Sequence, residues 1–155
     1  MRKIKIVPPV CPLCGATARY IDSVAVYGTS FGMMWLCPTA RCDSYVGAHA
    51  DGRPKGTLAG PELRKARRDA HAAFDGWWQR ARISRTKAYI TLSRVLGIDD
   101  AHIGSMDIPQ CEFVVAIFTA NPIRDRETPN QYVRRLAARN STLSTHAVRA
   151  GTEIR

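Results

Sequence analysis

Two cysteine pairs constrain this chain more than any other feature. Cys11-Pro12-Leu13-Cys14-Gly15 stands near the start, and Cys37-Pro38-Thr39-Ala40-Arg41-Cys42 follows a hairpin's length later. Thiolates two to four residues apart can reach a single ion, and Zn²⁺ prefers tetrahedral sulfur ligation. Pro12 presets φ in the first turn, and Gly15 permits the positive φ that folds a knuckle back over its metal. Pro38 repeats the arrangement beside Cys37. The spacing predicts one structural Zn²⁺ with Cys11, Cys14, Cys37 and Cys42 as ligands. The wider gap before Cys42 makes a looser loop, and His49 is the reserve donor should Cys42 point away. A redox Cys-x-x-Cys requires a strand-to-helix setting, whereas the residues after Cys14 favour strand. A closed four-sulfur site has no open position for substrate, so its role is to hold structure, and function has to be sought around it.

Around the pairs the chain changes period. Residues 18–27 are rich in strand formers, Gly28-Thr29-Ser30 is a turn, residues 31–36 return as a second strand, and Tyr45-Val46-Gly47 can supply a third. Ile4 and Ile6 can add an edge strand that Pro8-Pro9 ends. So small a sheet buries little, and the metal takes the place of a core. Tyr20, Tyr27, Phe31 and Trp35 are expected to pack rather than to stack on bases. Residues 48–60 read as a loop with Arg53 and Lys55 at its basic tip.

From residue 61 to about 82, Leu63, Ala66, Ala70, Phe74, Trp77 and Ala81 recur at helical spacing and predict a buried stripe. A second stripe carries Arg64, Arg68, His71, Asp75, Trp78 and Arg82, where His71 and Asp75 lie one turn apart. Ser84 is a good N-cap for another helix, which Gly97 ends. Residues 109–120 are apolar nearly all round and predict a buried helix, with a central strand as the alternative and Cys111 as a core thiol. His102 and Cys111 as half of a second metal site is a weaker reading. Thr128-Pro129 restarts the chain as a helix over 131–139, and residues 140–155 read as a loosely held tail.

The expected architecture is α+β: a small antiparallel four-cysteine zinc ribbon packed on a helical bundle of three to four helices. Residues 1–60 form the ribbon with an N-terminal arm and basic loop, 61–120 the helical part, and 121–155 a basic C-terminal extension.

Charge points to the partner. Lys and Arg number 23 against 13 Asp and Glu, a formal charge of +10. After residue 60 the only lysines are Lys65 and Lys87, and arginine's planar fork suits phosphate and carboxylate. A pI near 9.9 favours an acidic partner, nucleic acid first. No run approaches the ~18 apolar residues of a membrane span, and the N-terminal apolar stretch is too short for a signal peptide. Five cysteines in a metal-type arrangement fit a reducing cytosol.

Several separate pieces occur together here: Cys11-Pro12-Leu13-Cys14-Gly15, Tyr45-Val46-Gly47-Ala48-His49, Gly56-Thr57-Leu58-Ala59, Glu62-Leu63-Arg64-Lys65-Ala66-Arg67, His71-Ala72-Ala73-Phe74-Asp75, Ser84-Arg85, Ala88-Tyr89, and His102-Ile103-Gly104 followed by Cys111. Over about residues 11–117 this set resembles the small zinc-finger-containing proteins found mainly in bacteriophages and prophages. The resemblance implies a phage-type protein acting in the bacterial cytoplasm, and it carries no activity with it. The second cysteine pair of that family is usually tighter than Cys37 to Cys42. The family pattern matches His49, Arg64, Arg67, His71, Asp75 and His102 as polar positions, implying a shared surface beside the ribbon.

The leading expectation is a zinc-stabilised protein that binds nucleic acid, DNA or RNA, largely through phosphates. Arg53, Lys55, Arg64, Arg67, Arg68, His71, Arg82, Arg85 and Lys87 are the expected contacts. The alternative is an accessory protein that binds an acidic surface of host transcription, replication or defence machinery. A hydrolase or nuclease using His71, Asp75 and His102 ranks third, because no catalytic signature accompanies these residues.

Overall fold

The computed structural model describes residues 6–124 and 126–139. Ile4 and the expected tail at 140–155 lie outside them. The architecture is α+β. Strand β1 (Arg19–Asp22) leads to a single helical turn, α1 (Val24–Tyr27), then to β2 (Met33–Leu36) and β3 (Tyr45–Gly47). Helices α2 (Pro61–Arg80), α3 (Arg85–Leu96), α4 (Ile108–Ala120) and α5 (Pro129–Arg139) follow, with a 3₁₀ turn at Ile103–Ser105 before α4. The described residues fall into two compact units. One runs up to His71 and takes in His102–Phe113; the other comprises Ala72–Ala101 and the chain from Val114 onward.

In the first unit β2 is the central strand of a three-stranded antiparallel sheet ordered β1-β2-β3. Tyr20 faces Trp35 across β1 and β2, and Trp35 faces Val46 across β2 and β3. A small buried cluster joins the sheet to the cysteines: Cys11, Ala18, Trp35, Cys37 and Leu58 are buried, with Ala16, Cys42, Val46 and Ala48 packed against them. The Trp35 indole N–H donates to the Gly52 carbonyl at 2.9 Å, which ties the loop after β3 to the sheet. That loop is more ordered than its Gly and Pro content suggests, because Tyr45 bridges to Ala59 and Ala48 to Pro54.

The expectation of strand through residues 18–27 fails after Asp22. Asp22 Oδ1 accepts the Val24 N–H at 2.8 Å, and Ser23 Oγ accepts the Phe31 N–H at 2.7 Å. Gly28, at φ 71°, caps the turn by donating to the Val24 carbonyl. These local bonds offer the backbone an alternative to a ladder, and they outweigh the strand propensity of Val24, Val26 and Tyr27. The aromatics divide likewise. Trp35 is 6 % exposed, whereas Phe31 is 77 % exposed.

The long helix begins where Pro61 and Glu62 predict it, and its apolar stripe is most deeply buried at Ala70, Phe74 and Trp77. Residues 109–120 are helical, begun by a capping box in which Gln110 N–H donates to Asp107 Oδ1 and Asp107 N–H donates to Gln110 Oε1. In the second unit Ser84 Oγ accepts the Lys87 N–H to start α3, and Gly97, at φ 66°, ends it. Thr128 and Gln131 form the equivalent box for α5. The core of this unit is aromatic: Trp77 lies 4.9 Å from both Phe118 and Tyr132, centroid to centroid, and Phe74 lies 5.0 Å from Tyr89. No helix of the described residues is long and apolar enough to cross a membrane.

Candidate metal centre and cationic groove

The metal centre is assembled by two backbone turns. In the first, Gly15 at φ 74° returns its N–H to the Cys11 carbonyl at 2.9 Å, and the Cys11 N–H reaches the Ala16 carbonyl at 2.9 Å. In the second, the Cys42 N–H donates to the Thr39 carbonyl at 3.0 Å, and the Cys37 N–H donates to Ser44 at 2.8 Å. Ser44 is fully buried and bonds the Cys42 carbonyl through its hydroxyl, which closes the wider loop. The four Sγ atoms of Cys11, Cys14, Cys37 and Cys42 thereby lie within 4.8 Å of one another. Cys14 and Cys37 are 3.5 Å apart at sulfur, and none of the cysteines is in a disulfide. Four thiolates at a Zn–S distance of about 2.3 Å stand about 3.8 Å apart on a tetrahedron, so the donors fit one structural Zn²⁺ with small shifts.

His49 is outside the cluster. It sits on an exposed turn, where its backbone N–H donates to the Arg53 carbonyl at 2.7 Å. Cys111 is fully buried, and His102 Nδ1 caps the 3₁₀ turn by accepting the Gly104 N–H at 3.2 Å. Among the described residues, neither joins a group of three metal donors.

The thiols bias one another. Hydrogen bonding from the Thr39 hydroxyl, and then from the Ala16 backbone, holds Cys14 down to about 6. Hydrogen bonding to Cys14 and then desolvation push Cys42 up to about 12. These opposite shifts mark neighbours competing for a single negative charge. A bound Zn²⁺ supplies the positive charge that lets all four ionise together.

On the same unit, the start of α2 faces the loop after β3 and the 3₁₀ turn across a groove of about 290 Å³. Lys55, Arg64, Arg67, Arg68 and His71 line it, together with Tyr27, Tyr45 and glycine backbone, and no carboxylate is among the lining residues. The floor is closed by contact between two backbones: the Thr57 N–H donates to the Gly104 carbonyl at 3.1 Å, and a Cβ on Gly56 would meet that oxygen at 2.0 Å.

The basic residues differ in their attachments. Arg64 is a clamp. Its guanidinium lies 3.9 Å over the Tyr45 ring, donates to the Asp43 and Ala59 carbonyls, and pairs with Asp43 Oδ2 at 2.9 Å. Arg67 is buried, and it donates to the Met106 carbonyl at 3.0 Å, the Thr57 carbonyl at 2.8 Å and Thr57 Oγ1 at 2.7 Å. All three acceptors are neutral, and among the described residues no ion pair includes Arg67. Burial lowers its pKa, yet arginine keeps its charge in proteins, so an uncompensated cation stands at the base of the groove. Arg68 and Lys55 are exposed at its edge. Burial and then the Tyr27 hydroxyl push the Tyr45 phenol up to about 12, which keeps it a neutral hydrogen-bonding group.

The groove thus brings together Lys55, Arg64, Arg67, Arg68 and His71 from the expected set. Arg53 stands away from it, paired with Asp51 at 2.6 Å on the exposed loop. Arg82, Arg85 and Lys87 belong to the second unit. There Arg85 lies 5.6 Å over the Tyr89 ring, and Arg82 lines a cavity of about 480 Å³ with Arg80, Arg124 and Arg126. Asp75 Oδ1 accepts the Trp78 indole N–H at 2.7 Å. Sequence reasoning had no residue-level signal for the burial of Arg67, and none for Tyr27 and Tyr45 as groove walls.

A family model described as a zinc-finger-containing domain matches residues 7–121, a span that includes all four clustered cysteines and every residue of the groove. No curated protein and no solved structure matches the chain.

Proposed function

The chain belongs to the zinc-finger-containing domain family, and from that premise we propose that it is a zinc-stabilised nucleic-acid-binding protein that grips phosphates in the cationic groove. One observation carries this reading. Five basic side chains converge on one concave wall that lacks a carboxylate, and one of them, Arg67, is buried with its charge uncompensated. A buried cation facing a groove gains most from an anion that enters, because the low local dielectric strengthens the attraction. The metal has a mechanical part. It fixes the Cys37 end of β2 and the turns that carry the other cysteines, so that Tyr45 and the residues after it meet α2 in one geometry. A phage setting in a bacterial cell is compatible with this role and forms part of the same proposal.

The test is binding of the zinc-loaded protein to short labelled DNA and RNA across a salt series. Affinity should fall linearly in log–log form. Lys55→Ala with Arg68→Ala should flatten the slope by about 1.4 to 1.8, the value for two lost phosphate contacts. Lys55 and Arg68 are the informative pair because they are exposed, whereas Arg64 and Arg67 also hold the fold together. Absence of binding at low salt defeats this reading and leaves the basic wall for an acidic protein surface.

A further inference from the structure

Phe31, the most exposed aromatic residue, stands next to the groove's own wall. Its ring meets Tyr27 edge-on at 5.7 Å, and Tyr27 meets Tyr45 edge-on at 5.8 Å with the two hydroxyls 2.8 Å apart. Arg64 in turn lies 3.9 Å over the Tyr45 ring. A continuous run of π contacts therefore leads from solvent, at Phe31, into the cationic groove. Packing does not account for the outer end of this run: Phe31 is 77 % exposed and Tyr27 49 % exposed, next to Val24 at 47 %.

Exposed rings beside a cationic track are chemistry that duplex DNA cannot use, since its bases are stacked on each other. They match a strand whose bases are free to turn out while its phosphates follow the positive charges. We propose that this surface binds single-stranded nucleic acid, with a phosphate held by Lys55 and Arg68 above the buried Arg67 and the adjoining base stacked on Phe31 and Tyr27. The inference rests on the nucleic-acid reading above and adds the strandedness and the stacking residues. The helical turn α1 presents Tyr27, and the Ser23 hydroxyl that accepts the Phe31 N–H holds Phe31 beside it. An extended strand through Val24–Tyr27 would place alternate side chains on opposite faces, whereas the turn ends with Tyr27 against Tyr45.

The experiment measures fluorescence anisotropy of labelled oligo(dT) and oligo(rU) 12-mers and of a 12-base-pair duplex with the full zinc-loaded chain, compared at matched salt concentrations across one salt series. The single strands should bind about tenfold or more tighter than the duplex. Phe31→Ala should lose about tenfold on the single strands, in the range of one stacked base, and leave the salt slope unchanged. Phe31 is exposed enough that its removal leaves the fold in place, and an unchanged thermal midpoint and zinc content will verify this. Duplex binding equal to single-strand binding, or Phe31→Ala indistinguishable from wild type on single strands, overturns the inference while leaving nucleic-acid binding intact. Failure to bind any of the three overturns both.

Discussion

At the scale of single residues, the groove depends on two that sequence periodicity treats as unremarkable. Arg67 lies one position from the stripe Leu63, Ala66 and Ala70, yet it is buried and its guanidinium joins the loop at Thr57 to the carbonyl of Met106. A helix period tells which face a residue is on; it does not tell that two neighbouring segments will together supply three acceptors for a cation there. Gly56 is the other. Its φ of 152° is in the region that favours glycine, and the Gly104 carbonyl occupies the space of a Cβ. Gly56→Ala is expected to cost about 2–4 kcal/mol, since backbone has to move on one side or the other. It should also weaken nucleic-acid binding by pushing the groove floor apart. A thermal midpoint equal to that of wild type would show that the two backbones are not in this contact.

At the scale of elements, caps and turns were readable because they are local chemistry. Ser84, Gly97 and Thr128-Pro129 do what their residue types predict. The turn α1 departs from strand propensity because the Asp22 and Ser23 side chains accept backbone N–H groups, and these bonds compete with a ladder over a span of only four residues. The segment before α5 carries a further device. Arg135 donates to both carboxylate oxygens of Glu127, at 2.6 and 2.7 Å, and also to the Pro122 carbonyl at 3.1 Å. The Glu127 side chain is only 8 % exposed. The Arg135 hydrogen bonds hold the Glu127 carboxyl below its usual range. Because the folded pKa is the depressed one, the stabilisation is fully present above the unfolded value of about 4.3 and is lost as pH falls through the folded value. Glu127→Gln leaves the Arg135 charge without its partner and should cost about 3 kcal/mol at pH 7; with no carboxylate to protonate, it should also flatten the decline of the thermal midpoint below about pH 4.5. Parallel acid declines in the two proteins would rule the pair out as the titrating element.

At the scale of the whole molecule, the buried cluster at the sheet of the first unit consists of a few residues, two of which are metal-type cysteines. The sheet should therefore fold only with Zn²⁺. Cys11→Ser, or chelation of the wild type, should release one Zn²⁺ per chain, abolish the strand signal in circular dichroism and lower the thermal midpoint by about 10 °C or more. Retention of both metal and midpoint in Cys11→Ser would show that the sulfur cluster is not what holds the sheet. What the sequence determined alone was whatever depends on neighbours along the chain: the knuckle spacing and its metal, the helix starts and stops, and the basic balance of charge. The tertiary structure decided which charges share a wall. Lys55, Arg64, Arg67 and His71 are brought together with Tyr27, Tyr45 and Gly104 by loop closures and by a glycine-to-glycine contact. Such contacts join residues some fifty positions apart, and no local propensity or period encodes a distance of that kind.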